Sequence, residues 1–475
     1  MKDIYTLHTE LKNKKISAVE AVKDCLSKLK KSNCNSFISV LEDKALVDAQ
    51  TSQDEIQKNG PKNYLHGVPY SLKDLFITKD IRTTAGSKIL YNYIPPYDGY
   101  MSEQFKKAGG VLVGKVGCDQ FGMGSTNENT PFGVVLNPLN KDYVAGGSSG
   151  GSAASVAEGS SYFSIGTDTG GSTRLPANFC GIVGYKPSYG RVSRYGQIAY
   201  GSSLDQSAPI AKTVLDMGCI ISNITEKDPR DTTNVPLPKI EIVNDLVNMK
   251  ASYLKGKKIG LPAGFIDACD ADIKKNLLAA IDEFKKLGAE MVDVTLPNAK
   301  YCVSTYYLIA TSEASANLAR FDGIHYGHRD MKAKDGIEQT YVKSRTQGFG
   351  EEVKRRIILG TFSLSSGYQD QYFAKACKVR RKIYNDFQTA FKSCDVIFSP
   401  VCASNAFKIG QSDNDPIKMY MNDLYTIPVN LAGLPGIALP YGKGANQLPT
   451  GFQLIGKTFQ DAELLKIARA FEVRA

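Results

Sequence analysis

Residues Ala145–Arg174 read AGGSSGGSAASVAEGSSYFSIGTDTGGSTR, and how this stretch is understood decides the fold. Two clusters, Gly146-Gly147-Ser148-Ser149-Gly150-Gly151 and Gly170-Gly171-Ser172, flank a segment whose pattern predicts a helix over Ser152–Glu158 and a short buried strand over Tyr162–Gly166. Glycine lets a backbone take positive φ and approach a ligand closely, at an entropic cost that an ordinary loop has no reason to bear. Backbone N–H groups beside an exposed hydroxyl are what a developing oxyanion needs. A flexible Gly/Ser linker does not fit, because Val156, Phe163 and Ile165 interrupt the run. The stretch therefore reads as a serine-bearing loop inside an α/β core.

A serine nucleophile needs a base, usually histidine. The chain holds four histidines, His8, His66, His325 and His328. The first two precede the serines, and the last two lie in the polar stretch FDGIHYGHRD. Ser149 sits in a formal G-x-S-x-G, but an α/β-hydrolase needs Ser, Asp and His in that order, so the elbow reading ranks low. A lysine made neutral by burial can replace histidine. Lys73 is the candidate: HGVPYSLKDLF places it at the end of a β-like run, Val68 to Leu72, where lysine is depleted unless paired or used. Taken alone, Lys73 would more simply be a solvated edge lysine.

The combination GVPYSLKD, GGSSGGSAASVA, GTDTGGSTR and PANFCGIVGYKPSYG resembles the amidase signature family. That resemblance implies a Ser–cis-Ser–Lys triad, carried over as Ser172 (nucleophile), Ser148 (bridge, in a cis Gly147–Ser148 peptide) and Lys73 (base). It implies an α/β amidase-signature fold, a central mixed β-sheet covered by helices on both faces. Within the family, SRYGQIAYGSSLDQSAPI, EVKRRIILGTFSLSSGY and MNDLYTIPVNLAGLPGIALP are most similar to the A subunits of glutamyl-tRNA(Gln)/aspartyl-tRNA(Asn) amidotransferases. The resemblance then implies Arg356 against the α-carboxylate of glutamine, Asp423 against its α-ammonium, and Tyr307 on the same pocket. Backbone N–H groups of Thr169, Gly170, Gly171 and Ser172 would line the oxyanion hole. Gly117, Cys118, Gln120 and Gly122 depart from the family pattern, which has asparagine, methionine, glutamate and alanine there, and Thr173 replaces an isoleucine.

Taken in order, 475 residues with 42% hydrophobic content supply a sizeable core. No linker demands a split, so the expectation is a single unit over 1–475, with 1–59 a helical segment packed on the α/β core. Ser17-Ala18-Val19-Glu20 is a capping box opening an amphipathic run to Leu29, and a second helix is predicted over Glu42–Lys58. Strands are predicted at Val68–Leu72, Gly110–Val116, Lys258–Leu261, Glu290–Val294 and Asp395–Pro400. Helices are predicted at Ser102–Ala108, Ala271–Leu287, Ser312–Arg320, Glu351–Leu359, Gln369–Phe391 and Asp461–Phe471. Alternation of this kind argues for a largely parallel or mixed sheet. Phe121–Pro138 and Thr225–Pro238 read as loops.

The net charge of +10 is scattered along the chain and suggests attraction to polyanions. Ten isolated cysteines, with no Cys-x-x-Cys, read as free thiols of a reducing cytoplasm. No apolar run is long enough to span a bilayer, and no secretory or Arg-rich leader is recognisable. GFQLIGKT at 451–458 matches a Walker A pattern, but its central residues are an apolar strand rather than a flexible loop. His325 and His328 lack a carboxylate–histidine shell, so no metal site is expected. The basic run Lys378–Lys382 reads as a solvated face, with contact to the acidic surface of a partner or to tRNA as the minor alternative.

The expected function is that of a glutaminase subunit, releasing ammonia to convert Glu-tRNA(Gln) to Gln-tRNA(Gln). The expected partners are B and C subunits, with tRNA held mainly by B and with ATP and Mg used by the partner, while this chain binds no cofactor. The competing readings are a stand-alone amidase acting on small carboxamides and an inactive scaffold that keeps only the fold.

Overall fold

The computed structural model describes residues 2–332, 334–411 and 420–474. Its frame is an eleven-stranded sheet built from β1 (Phe37–Val40), β2 (Pro69–Lys73), β3 (Val111–Val116), β6 (Phe163–Thr167), β7 (Val183–Lys186), β8 (Ser207–Ala211), β9 (Lys258–Pro262), β10 (Glu290–Val294), β11 (Val396–Pro400), β12 (Gly436–Lys443) and β13 (Pro449–Ile455). A separate two-stranded ribbon joins β4 (Leu136–Asn137) to β5 (Asn140–Val144). The order across the sheet is β1-β3-β2-β6-β8-β7-β12-β13-β11-β9-β10. Parallel pairs β3/β2/β6 and β11/β9/β10 flank an antiparallel centre, so the sheet is mixed, as expected.

Period-2 alternation sends neighbouring residues to opposite faces. Leu454 and Phe398 belong to one hydrophobic cluster, while their neighbours Ile455 and Ile397 belong to another. The first cluster gathers the N-terminal helices (Ile4, Leu7, Leu11, Ala18, Cys25), the helix Val214–Ile224 and the C-terminal helix Asp461–Glu472. The second gathers the helices Cys302–Asn317 and Lys375–Ala390. Helices therefore flank the sheet on both sides.

The Ser17/Glu20 capping box is formed and opens the helix Ala18–Lys31. Residues 1–59 are not wholly helical, however, because Phe37–Val40 pairs antiparallel with β3 as an edge strand. The helix expected at Ser312 starts ten residues earlier, at Cys302. Its first turns are rich in β-branched and aromatic residues, which intrinsic propensity disfavours and burial overrides. The 449–455 segment is strand β13, ruling out a phosphate loop there. In the run 378–382, Arg380 is a correction: it donates to the Leu431 and Ser203 carbonyls and to Ser203 Oγ, tying its helix to the core. All ten cysteines are free and most are buried. Among the described residues, no helix is long and apolar enough to cross a membrane, and no cluster of metal-ligating side chains occurs.

Candidate active site

Strand β2 runs Pro-Tyr-Ser-Leu-Lys, buried throughout, and its pairing with β3 and β6 fixes Lys73 at its C-terminal end. Lys73 is fully buried. Its Nζ lies 2.7 Å from Ser148 Oγ, 2.9 Å from Ser149 Oγ and 2.8 Å from Thr167 Oγ1, and no carboxylate among the described residues pairs with it. Burial lowers its pKa to about 8, against the smaller upward pull of Cys118, Asp119, Asp168 and Asp205. A solvated edge lysine is therefore excluded.

The two neighbouring serines differ in what their hydroxyls can still do. Ser149 Oγ donates to the Thr167 carbonyl (3.1 Å) and accepts the Thr167 N–H, so its proton is committed. Ser148 Oγ contacts Lys73 alone among the described polar groups, and the peptide Gly147–Ser148 is cis. Its carbonyl accepts the Asp119 N–H at 3.3 Å, and Gly147 N–H donates to the Ser125 carbonyl at 2.8 Å. The first serine cluster meets the second where Ser149 N–H donates to the Ser172 carbonyl at 3.0 Å. Ser172 is 8% exposed whereas Lys73 and Ser148 are 0%, and among the described residues no hydrogen bond joins Ser172 Oγ to Ser148 Oγ.

The turn that carries Ser172 is welded from inside. Asp168, at the end of β6, accepts Arg174 Nε (3.0 Å), Arg174 NH2 (3.0 Å), Asn430 Nδ2 (2.9 Å) and the Gly171 N–H (2.9 Å). Burial, the largest single influence, works to raise the Asp168 pKa, but Arg174, Lys186 and Asn430 together outweigh it and hold it at about 2. Arg174 continues to Gln453 Oε1 on β13 (2.8 Å), Asn430 Oδ1 (2.6 Å) and the Thr426 carbonyl (3.1 Å). Gly171 has φ +133° and lies so close to Thr426 that a Cβ would come within 2.1 Å of Thr426 Oγ1. The expected oxyanion donors are corrected here: the Gly171 N–H is spent on Asp168, whereas those of Thr169, Gly170 and Ser172 have no acceptor among the described residues.

The expected substrate residues converge from three elements. Arg356, in the helix Glu351–Leu364, is 2% exposed; its Nε donates to Glu352 Oε1 and its NH1 to Tyr200 OH, both at 2.8 Å. Its guanidinium lies 5.5, 5.3 and 5.6 Å from the ring centres of Tyr200, Tyr307 and Tyr420. Tyr307 stacks on Tyr420 at 3.9 Å, and Tyr420 OH donates to Glu352 Oε1. Asp423 accepts Ser125 Oγ at 2.5 Å through Oδ2, while its buried Oδ1 has no partner among the described residues. Burial raises its pKa to about 7, with Ser125 and Arg356 pulling the other way. One turn on, Thr426 Oγ1 donates to the Gly170 carbonyl at 2.6 Å, which connects Asp423 to the Ser172 turn. A Cβ on Gly170 would come within 2.9 Å of Tyr306 OH.

Sequence reasoning missed Tyr200, Tyr306, Tyr420, Glu352 and Ser125. Only Glu352 left a local trace, as the i,i+4 partner of Arg356. His325 pairs with Asp322 and His328 with Gln347, at the surface.

A family model described as Amidase matches residues 20–465. The A subunit of the glutamyl-tRNA(Gln) amidotransferase of Geobacter sp. (strain M21) is 50% identical, covering 99% of this chain and 96% of its own. Its counterpart from Geobacillus kaustophilus is 46% identical, over 98% and 96%. The crystal structure of the corresponding A subunit from Thermotoga maritima is 37% identical, with a TM-score of 0.79 and coverage of 97% and 95%.

Proposed function

The chain belongs to the amidase family, and from that premise we propose that it is the glutaminase subunit of a tRNA-dependent amidotransferase. Ser172 Oγ attacks the carboxamide carbon of glutamine while Ser148 takes its proton and passes its own to neutral Lys73. The tetrahedral oxyanion is received by the N–H groups of Thr169, Gly170 and Ser172. The proton returns to the leaving nitrogen, ammonia departs, and water releases glutamate from the acyl-enzyme. Arg356 holds the α-carboxylate, Asp423 the α-ammonium, and Tyr307 forms the wall beside the carboxylate.

Ammonia then serves partner B and C subunits that convert Glu-tRNA(Gln) to Gln-tRNA(Gln) in the cytoplasm, with ATP and Mg used by the partner and tRNA held mainly by B. The names of the relatives, A subunits of glutamyl-tRNA(Gln) amidotransferases, support this role.

The observation that carries the glutamine reading is a buried pair of opposite charges with open valences beside the serine turn. Neither Asp423 Oδ1 nor Arg356 NH2 has a hydrogen bond to the described residues. A zwitterion fills both.

Losing one charged contact of this kind costs about 2–5 kcal/mol, roughly one and a half to four decades in kcat/KM. Arg356→Ala and Asp423→Ala should lose that much towards glutamine, measured as ammonia release by the purified complex, and far less towards a small carboxamide lacking both α-groups. Equal losses on the two substrates would refute the clamp, and no loss on glutamine would favour a stand-alone amidase.

A further inference from the structure

Asp119 and Gln120 are consecutive, yet they hold opposite ends of the site. Asp119 is fully buried, gives its N–H to the Ser148 carbonyl, and packs so tightly on Gly147 that a Cβ there would lie 2.2 Å from Asp119 Oδ2. Its carboxylate is fixed in turn by the N–H groups of Asn127 (3.0 Å) and Asn129 (3.1 Å). Gln120, 7% exposed, points the other way. Its Oε1 accepts the Gly350 N–H at 3.0 Å and the Ser87 hydroxyl at 2.9 Å, and Ser87 Oγ also lies 2.9 Å from the Gly348 carbonyl.

Gly350 is the residue before the helix Glu351–Leu364, and it has no side chain with which to cap that helix. The first N–H groups of a helix have no partner within it, and a buried one left unfilled costs stability and order. Gln120 supplies the missing acceptor from a distant loop. Its fit is close, since a Cβ on Gly350 would meet Gln120 Nε2 at 2.2 Å. Arg356 follows six residues later, about 9 Å along the helix axis, so the height and rotation of the capped turn set where its guanidinium stands.

We propose that Gln120 is a positioning residue for Arg356: by capping the Arg356 helix from the loop that also holds Ser148, it fixes the span between the carboxylate-binding end of the site and the relay serine. The chemical steps do not pass through Gln120, so its removal acts on substrates that use Arg356 and spares those that do not. This rests on the reading that Arg356 binds the α-carboxylate of glutamine.

The test uses the full complex, with ammonia release from glutamine and from a small carboxamide without α-groups. Gln120→Ala should raise KM for glutamine about tenfold with kcat within about twofold, leave the small carboxamide unchanged, and be rescued by Gln120→Glu, which keeps an acceptor at the same reach. Ser87→Ala, which removes the hydroxyl that anchors Gln120 Oε1 and leaves Gln120 itself in place, should raise the glutamine KM in the same direction and stands in if Gln120→Ala fails to fold. An unmoved glutamine KM in these variants, or equal losses on both substrates, overturns the proposal. Arg356→Ala separates the two levels. If it raises the glutamine KM while Gln120→Ala and Ser87→Ala do not, only the role of Gln120 falls. If Arg356→Ala itself leaves that KM unchanged, the carboxylate reading falls and takes this inference with it.

Discussion

Lys73 on β2 and Lys115 on β3 are both fully buried on adjacent parallel strands, one residue out of register, so that they point to opposite faces. Lys115 meets the Asp74 carboxylate at 3.2 Å, the Phe76 carbonyl at 2.7 Å and Thr83 Oγ1 at 2.8 Å. Lys73 meets three hydroxyls. Burial lowers the pKa of both, and Asp74 pulls Lys115 back up. The comparison teaches that burial alone does not make a lysine a base. A carboxylate neighbour stabilises the ammonium in place, whereas hydroxyls stabilise either protonation state and are themselves able to pass a proton on.

The sharpest way to break this contrast is to remove each lysine. Lys73→Ala should lower kcat/KM on glutamine by about 10^4-fold, near the upper limit for loss of a general base, with an unchanged circular dichroism spectrum. Lys115→Met should instead strand the Asp74 carboxylate and lower stability by about 3–5 kcal/mol, while the molecules that remain folded hydrolyse glutamine normally. Adding Asp74→Asn should recover much of that stability in denaturant melts. If Lys115→Met alone abolished turnover in a folded protein, the two lysines would not be distinct.

A second, smaller contrast lies between the two serines that Lys73 touches. Ser148→Ala removes the hydroxyl of this pair whose proton is uncommitted and should cost about 10^2–10^3-fold in kcat. Ser149→Ala removes a hydroxyl already bonded to the Thr167 carbonyl and should cost about tenfold, through the placement of Lys73. Reversal of this order in steady-state assays would move the relay to Ser149.

The smallest effect is in pH. A lysine accepts a proton only when neutral, so activity on a small carboxamide should fall about tenfold per unit as pH drops below the Lys73 value of about 8. On the proposed ammonium-binding role, glutamine needs Asp423 ionised as well, and that group protonates as pH falls through about 7. The glutamine profile should therefore steepen below pH 7, giving roughly a further tenfold loss at pH 6. Parallel profiles for the two substrates would remove Asp423 from ammonium binding.

Much of the frame was legible because it is local. The Ser17/Glu20 cap, the apolar run before Lys73 and the glycine clusters each follow from residues near one another in sequence. Strands β7 and β8 were not, since Val183–Lys186 and Ser207–Ala211 are short, broken by glycine or proline, and defined by their partners across the sheet. The same division runs through the site. Lys73, Ser148, Ser172, Arg356 and Asp423 lie in recognisable motifs, but Tyr200 reaches Arg356 from 156 residues away and Gln120 reaches Gly350 from 230. No periodicity signals contacts at that range. Gly171 illustrates the limit within a motif: its place before the serine suggested a free N–H, and only the fold reveals that Asp168 already occupies it.

The Arg174 weld also sets a timetable. It joins Asp168 and the serine turn to Thr426, Asn430 and Gln453, the last lying on β13 near the end of the chain. In a chain emerging from the ribosome, the serine clusters are complete by Ser172, yet the anchors of the Ser172 turn, Thr426, Asn430 and Gln453, follow Arg174 by 252, 256 and 279 residues. A growing or truncated polypeptide that lacks these anchors thus carries Ser148 and Ser172 without the hydrogen bonds that hold their turn.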